Sequence, residues 1–224
     1  MCDDVLFAKG AIQRPSVCPG CADKIKPVSQ PSCMKCGKQL DEDEREYCND
    51  CSVKNHNFDR GAAAFSYSDS MKKSMYAFKY NNRREYAGFY ADTLMSGWET
   101  LIRAWKPQVI IPVPLHKTKY RKRGYNQAEV FAGALSERLD VPVDASYLMR
   151  VRKTRPQKEL NDRERCNNIN NAFQTAGNGV KYRQVLLTDD IYTTGATVDE
   201  CARVLKAAGA QEVYFAAVCI GRGF

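Results

Sequence analysis

One continuous segment constrains this chain more than any other: Val185-Leu186-Leu187-Thr188-Asp189-Asp190-Ile191-Tyr192-Thr193-Thr194-Gly195-Ala196-Thr197. It opens as an apolar strand, turns polar at two adjacent carboxylates, and passes through a threonine and glycine loop into a helix. The surrounding sequence repeats that alternation. Val109 to Val113 reads as a short buried strand and Gln127 to Leu139 as an amphipathic helix. Val198 to Ala208 reads as a helix stopped by Gly209, and Val213 to Val218 as a strand. Strand, helix, strand in series implies an α/β fold with a parallel sheet and right-handed crossovers. Ligands of such sheets lie at the carboxyl ends of the strands.

Upstream, Phe65 and Tyr67 mark a further short strand. Met71, Met75, Phe78 and then Tyr86 to Trp105 place apolar residues at three- and four-residue intervals, which suggests two helices broken at Asn81-Asn82. Tyr147 to Met149 is another strand candidate.

The loop after the two carboxylates has a chemistry of its own. Small hydroxylated residues and a glycine at a helix N-terminus leave backbone N–H groups free to cradle a phosphate, and the helix dipole adds to the attraction. Two carboxylates beside a phosphate would repel it, so they should face neutral hydroxyls or a hydrated metal. A ribose phosphate meets both conditions, and an ordinary strand-turn-helix is the alternative. The segment resembles the phosphoribosyl pyrophosphate (PRPP) motif of the type I phosphoribosyltransferases. That resemblance implies that Asp189 and Asp190 contact the ribose hydroxyls, while Thr193, Thr194, Gly195, Ala196 and Thr197 bind the 5′-phosphate.

The first fifty-odd residues belong to a different module. Cys18 and Cys21, Cys33 and Cys36, and Cys48 and Cys51 form three Cys-x-x-Cys pairs, and the N-terminus, Met1-Cys2-Asp3-Asp4, is acidic where a secretion signal would be basic. The chain is therefore expected to be cytoplasmic, where such pairs favour metal over disulfides. Cys33, Cys36, Cys48 and Cys51 read as one tetrahedral zinc ribbon, with Gly37 free to take the positive φ that follows a knuckle. Cys18 and Cys21 lack partners, and Cys2 reads as a third ligand from a pair whose first half would precede Met1. Free thiols are the alternative for these three. Two units are expected: a cysteine-rich ribbon over 1–57 and a phosphoribosyltransferase-like domain over 58–224. No apolar stretch approaches the length of a membrane span.

Charge is uneven. Residues 106–165 hold 14 basic against 7 acidic side chains, out of a whole-chain net charge of +8. Such a local field attracts phosphates, nucleotides or nucleic acid, although a solvated face has the same composition. Lys117, Lys119, Arg121, Lys122 and Arg123 form a basic loop directly after Pro112-Val113-Pro114, at a strand end. Lys153, Arg155 and Lys158 lie in a polar stretch with the composition of a lid.

Pro112-Val113-Pro114-Leu115-His116, Arg123-Gly124-Tyr125-Asn126-Gln127, and Arg155-Pro156-Gln157 with Arg163 and Asn167 are similar to the ComF family, as is a cysteine-rich N-terminus joined to a phosphoribosyltransferase-like domain. The resemblance implies PRPP and Mg²⁺ as ligands, pyrophosphate held by Lys117, Arg121 and Arg123, structural Zn²⁺, and an association with DNA uptake. Two departures stand out. Thr193 occupies a place where purine-type relatives often carry an aspartate that serves the acceptor base. The chain also ends at Phe224 with no C-terminal hood, so the helices of 69–105 or the ribbon would have to cover the acceptor. Three classes stay open: a PRPP-dependent transferase, a non-catalytic nucleotide sensor, and a single-stranded DNA-binding accessory of uptake in which Tyr120 and Tyr125 stack on bases.

Overall fold

The computed structural model describes Gly20 and residues 23–41, 45–152, 169–177 and 181–221. Asn49–Val53 forms a short helix, α1, within the ribbon. Then follow β1 (Gly61–Ser66), α2 (Asp69–Tyr80), α3 (Tyr86–Ala104), β2 (Val109–Pro112), α4 (Lys117–Arg123), α5 (Gln127–Leu139), β3 (Leu148–Arg150), β4 (Phe173–Thr175), β5 (Gln184–Tyr192), α6 (Ala196–Ala207) and β6 (Glu212–Ile220).

Four strands make one parallel sheet in the order β1-β6-β5-β2. Every residue of β1 and β2 is buried, as are eight of the nine in β6, and such continuous apolar runs belong to a sheet covered on both faces. β1 is built from Gly61 and three alanines because its neighbours come very close. A Cβ on Gly61 would overlap the Phe215 ring, and the Trp98 indole N–H donates to the Ala63 carbonyl at 2.9 Å. α3 and α5 pack on each other and on the sheet, and Arg138 fastens them by reaching Asp92 at 2.7 Å and the Gly88 carbonyl at 3.0 Å.

The ribbon completes the sheet's open edge. Val28 N donates to Ala64 O at 3.0 Å and Ser66 N to Lys26 O at 3.2 Å, so residues 26–28 run antiparallel beside β1. An edge strand left bare would invite pairing with another chain. Here the cysteine module supplies the cover.

Several expectations shift. α6 begins at Ala196 rather than Val198, β1 ends before Tyr67, and β3 does not join the main sheet. It pairs antiparallel with β4, matching Met149 to Gln174 across a long sequence separation. The basic run is a helix rather than a loop, capped at its start by His116, whose side chain accepts from Thr118 N, and ended by Gly124 at φ 79°. Among the described residues no helix is long and apolar enough to cross a membrane.

Candidate functional site

β5 carries Asp189 and Asp190 to the carboxyl end of the sheet. Asp189 accepts a hydrogen bond from the Asp190 backbone N–H at 2.8 Å. Burial and the neighbouring Asp190 carboxylate push Asp189 up to about 7. Asp190 is instead paired with Lys79, 2.8 Å away on the last turn of α2, with both side chains largely shielded from solvent. The two acids therefore differ: one has a cation on it, and the other holds its proton to higher pH.

The loop then turns at Thr193 and Thr194 into α6. Gly195 sits at the N-cap with φ 79°, and a Cβ there would come within 2.5 Å of the Tyr192 hydroxyl, so both backbone conformation and space require glycine. Gly195 itself supplies no capping side chain to the start of the helix. An open depression is lined by Asp189, Ile191, Tyr192, Thr193, Gly195, Ala196, Thr197 and Val198, whereas Asp190 and Thr194 are not part of that lining. Acid, loop and helix start from the thirteen-residue segment thus meet in one place. Tyr192 is a lining residue that sequence reasoning missed, although it lies within the segment.

Cations approach from three other elements. Lys119 on α4 has its pKa lowered, by burial first and then by Arg150 and Arg123, with Asp190 opposing the change. Arg150 on β3 stacks over Phe173, 5.3 Å from the ring centroid, and feels the Asp189 charge. Because the basic run is helical, its residues divide by face. Lys117, Arg121 and Lys122 are exposed, whereas Lys119 and Arg123 are half-buried. Arg123 donates to Gln127 Oε1 at 2.6 Å and to the Tyr80 hydroxyl at 3.1 Å. Lys119 belongs to the basic run that the sequence singles out, whereas Lys79 and Arg150 carried no local sequence signal, since their roles depend on which elements fold next to β5.

The Arg-Gly-Tyr-Asn-Gln element acts largely as a fastener. Gly124 ends α4, the Tyr125 hydroxyl donates to the Phe78 carbonyl, and Asn126 caps α5 while its Nδ2 donates to Val113 O at 3.0 Å. These bonds fix α4 between α2 and the end of β2. Tyr125 is buried with Arg84 lying 4.3 Å over its ring, so it is not open to a base, whereas Tyr120 is exposed. Tyr76 and Tyr80 on α2 are also exposed, with ring centroids 5.0 Å apart.

The second centre is the cysteine cluster. The Sγ atoms of Cys33, Cys36, Cys48 and Cys51 lie within 4.8 Å of one another, with Cys36 and Cys48 at 3.7 Å. Tetrahedral Zn–S bonds of about 2.3 Å place sulfurs about 3.8 Å apart, so this set fits zinc with at most a small closing of its longer separations. Lys38, buried and 2.8 Å from Asp50, braces the two knuckles. Cys2, Cys18 and Cys21 lie outside the described residues, as do Lys153, Arg155 and Lys158.

A parallel sheet with an acid pair and a helix-start depression, joined to a four-cysteine ribbon, defines a phosphoribosyltransferase-domain protein with a zinc module. Residues 125–223 match the phosphoribosyl transferase domain model and residues 1–52 the double zinc ribbon model. Competence protein F of Haemophilus influenzae is 32% identical over 212 residues, spanning 90% of this chain and 89% of the relative. The chain belongs to the competence protein F (ComF) family. DNA utilization protein YhgH of Salmonella typhimurium is 29% identical over 95% of this chain and 87% of its own. Among solved structures, a purine phosphoribosyltransferase from Pyrococcus horikoshii aligns over 59% of this chain and 74% of that one, at 20% identity and a TM-score of 0.37.

Proposed function

We propose that the depression at the end of β5 binds PRPP and that the protein transfers its phosphoribosyl group, releasing pyrophosphate, in the handling of incoming DNA. The observation that carries this reading is the meeting of Asp189, Thr193 and the start of α6 around one depression, with Asp190 next to Asp189 in the chain. The loop Thr193 to Thr197 offers N–H groups and hydroxyls to the 5′-phosphate, and the acids accept from the ribose hydroxyls. Substitution at C1′ breaks the bond to the pyrophosphate oxygen as the acceptor's bond forms, so negative charge grows on the leaving group. Cations of α4, with Lys117, Arg121 and Arg123 foremost, neutralise that charge.

Asp189 in the lining of the depression and the adjacent Asp190 are hard oxygen donors suited to Mg²⁺, through water or directly. When bound with the substrate, Mg²⁺ would supply further charge neutralisation at pyrophosphate. Thr193 provides no carboxylate for the acceptor.

The test is pyrophosphate release with PRPP, Mg²⁺ and a panel of acceptors, alongside calorimetric binding of PRPP to wild type and to the Asp189→Ala/Asp190→Ala double variant. Unchanged affinity in the double variant would remove the ribose assignment. A second reading, single-stranded DNA binding, is favoured by exposed Tyr76, Tyr80 and Tyr120 beside Arg123, which lies 4.9 Å over the Tyr80 ring. Its signature is a DNA affinity that falls steeply with salt. Binding of PRPP without pyrophosphate release for any acceptor would favour the sensor. The reactions belong to the cytoplasm, where PRPP and incoming single strands would meet.

A further inference from the structure

The short segment between ribbon and sheet makes contacts that PRPP binding alone does not require. On the ribbon side, Gly61 N donates to Lys35 O at 2.8 Å, and the Lys35 ammonium lies 5.4 Å from the centroid of the Phe58 ring. Gly37, at φ 73°, sits so close that a Cβ would come within 2.7 Å of Gly61 O. The knuckle bearing Cys33 and Cys36 is therefore seated on the segment's end.

On the other side, the same segment grips the start of α6. His56 Nδ1 lies 2.9 Å from Asp199 Oδ2, and Asn57 N donates to Asp199 Oδ1 at 2.6 Å. The His56 side chain is 2% exposed, and its Nε2 is buried without a hydrogen-bond partner, so among the described residues Nδ1 is the ring's only polar tether. Phe58, fully buried, stacks on His56 at 4.7 Å and meets the Tyr192 ring edge-on at 6.0 Å. Tyr192 in turn places its hydroxyl against Gly195. Both ends of the loop Thr193 to Gly195 thus rest on residues that this strap holds.

Asp199 gives the strap a chemical consequence. It lies in the first turn of α6, where a carboxylate is attracted to the positive end of the helix. An incoming phosphate would use the same end, and a second anion there would oppose it. His56 and Asn57 engage both carboxylate oxygens and so hold Asp199 in one orientation, toward the strap.

We propose that His56 and Asp199 are positioning residues that couple the zinc cluster to the phosphate loop. A zinc-held ribbon keeps the strap docked, and the docked strap keeps Asp199 off the helix start. Loss of zinc frees the strap, and Asp199 then competes with phosphate. The proposal rests on the ribose-phosphate reading of the loop. Because coupling between two binding sites is reciprocal, a ligand in the loop must tighten zinc by the same factor.

The experiment uses the full chain and ribose 5-phosphate, which lacks pyrophosphate and so reports on the loop alone. Calorimetry compares zinc-loaded with chelator-stripped protein, and zinc affinity is measured by competition with a chromophoric chelator, with and without saturating ribose 5-phosphate. Amide exchange over residues 193–199 is followed in both states. Stripping should weaken ribose 5-phosphate about tenfold, and the ligand should raise zinc affinity by a matching factor. Exchange over 193–199 should quicken when zinc leaves. His56→Leu, still loaded with zinc, should show the weaker binding and lose the coupling, while Asp199→Asn should restore binding to the stripped protein.

If loaded protein binds ribose 5-phosphate and stripped protein binds it equally, the coupling is wrong and the ribose-phosphate reading survives. If loaded protein does not bind it, that reading fails and the phosphate half of the proposal falls with it. Unchanged exchange over 193–199 on zinc loss overturns the strap itself.

Discussion

Replacing Asp189 with asparagine should make the protein more stable, by an amount that depends on pH. The native carboxyl titrates at about 7 against an ordinary value of 3.8, because burial and the Asp190 charge disfavour ionisation. Between those values the native state holds a proton that the unfolded chain has lost, so stability falls as pH rises from about 4 to about 7 and levels off above that. A shift of three units at about 1.4 kcal/mol each gives an upper bound of about 4 kcal/mol. Partial solvent access at the mouth of the depression reduces this to about 2 kcal/mol. Asparagine keeps an oxygen to accept from Asp190 N and does not titrate. The difference in unfolding free energy between variant and wild type should therefore be near zero at pH 4 and rise to about 2 kcal/mol at pH 8. Urea unfolding of the two proteins across that range, with zinc present throughout, isolates this one group. A difference independent of pH would show that Asp189 is not held near neutrality, and the contrast between the two acids would collapse.

Purified protein should carry zinc on Cys33, Cys36, Cys48 and Cys51, since a module of about fifty residues has too little core to fold unaided; elemental analysis showing less than half an equivalent would refute this, and a second equivalent would mean that Cys2, Cys18 and Cys21 also find a site. Gly195→Ala should lower stability by about 1–2 kcal/mol for the left-handed backbone and abolish ribose 5-phosphate binding as Tyr192 is displaced; thermal unfolding and calorimetry read the two effects, and retained binding would disconnect the loop from the ligand. Neutralising Lys117, Arg121 and Arg123 together should weaken PRPP far more than ribose 5-phosphate, because charge-assisted hydrogen bonds to pyrophosphate are local. Equal losses for both ligands would remove the pyrophosphate role. If the same change instead lowers the salt slope of single-stranded DNA binding by about 0.7 for each cation removed from a phosphate, these side chains follow a polynucleotide backbone.

Features written in one short stretch of chain were legible without a structure. The ribbon cysteines are paired by tight turns, so their spacing alone specifies that two thiolates face one ion. Asp189, the loop and the start of α6 are contiguous, so a strand-to-helix turn brings them to one depression whatever the rest of the fold does. Local reasoning erred where its patterns were short. The basic run is seven residues and became a helix only because Asn126, Tyr125 and Gly124 anchor it between α2 and β2, and Tyr125, which composition offered as a stacking platform, is consumed by that anchoring.

Other features depend on pairs far apart in sequence. Lys79 meets Asp190 because α2 ends beside β5, His56 meets Asp199 across 143 positions, and residues 26–28 find an edge that exists only once β1 has paired with β6. Nothing in the neighbourhood of Lys79 or His56 distinguishes them from any other surface lysine or buried histidine, since what each does is set by a partner that packing delivers. Sequence therefore determined the chemistry available at each site, through the residue types that adjacent positions hold together. Tertiary structure decided which acid is paired with a lysine and which is raised by burial, and which face of the basic helix is covered, because burial and distant counter-charges exist only in the folded chain.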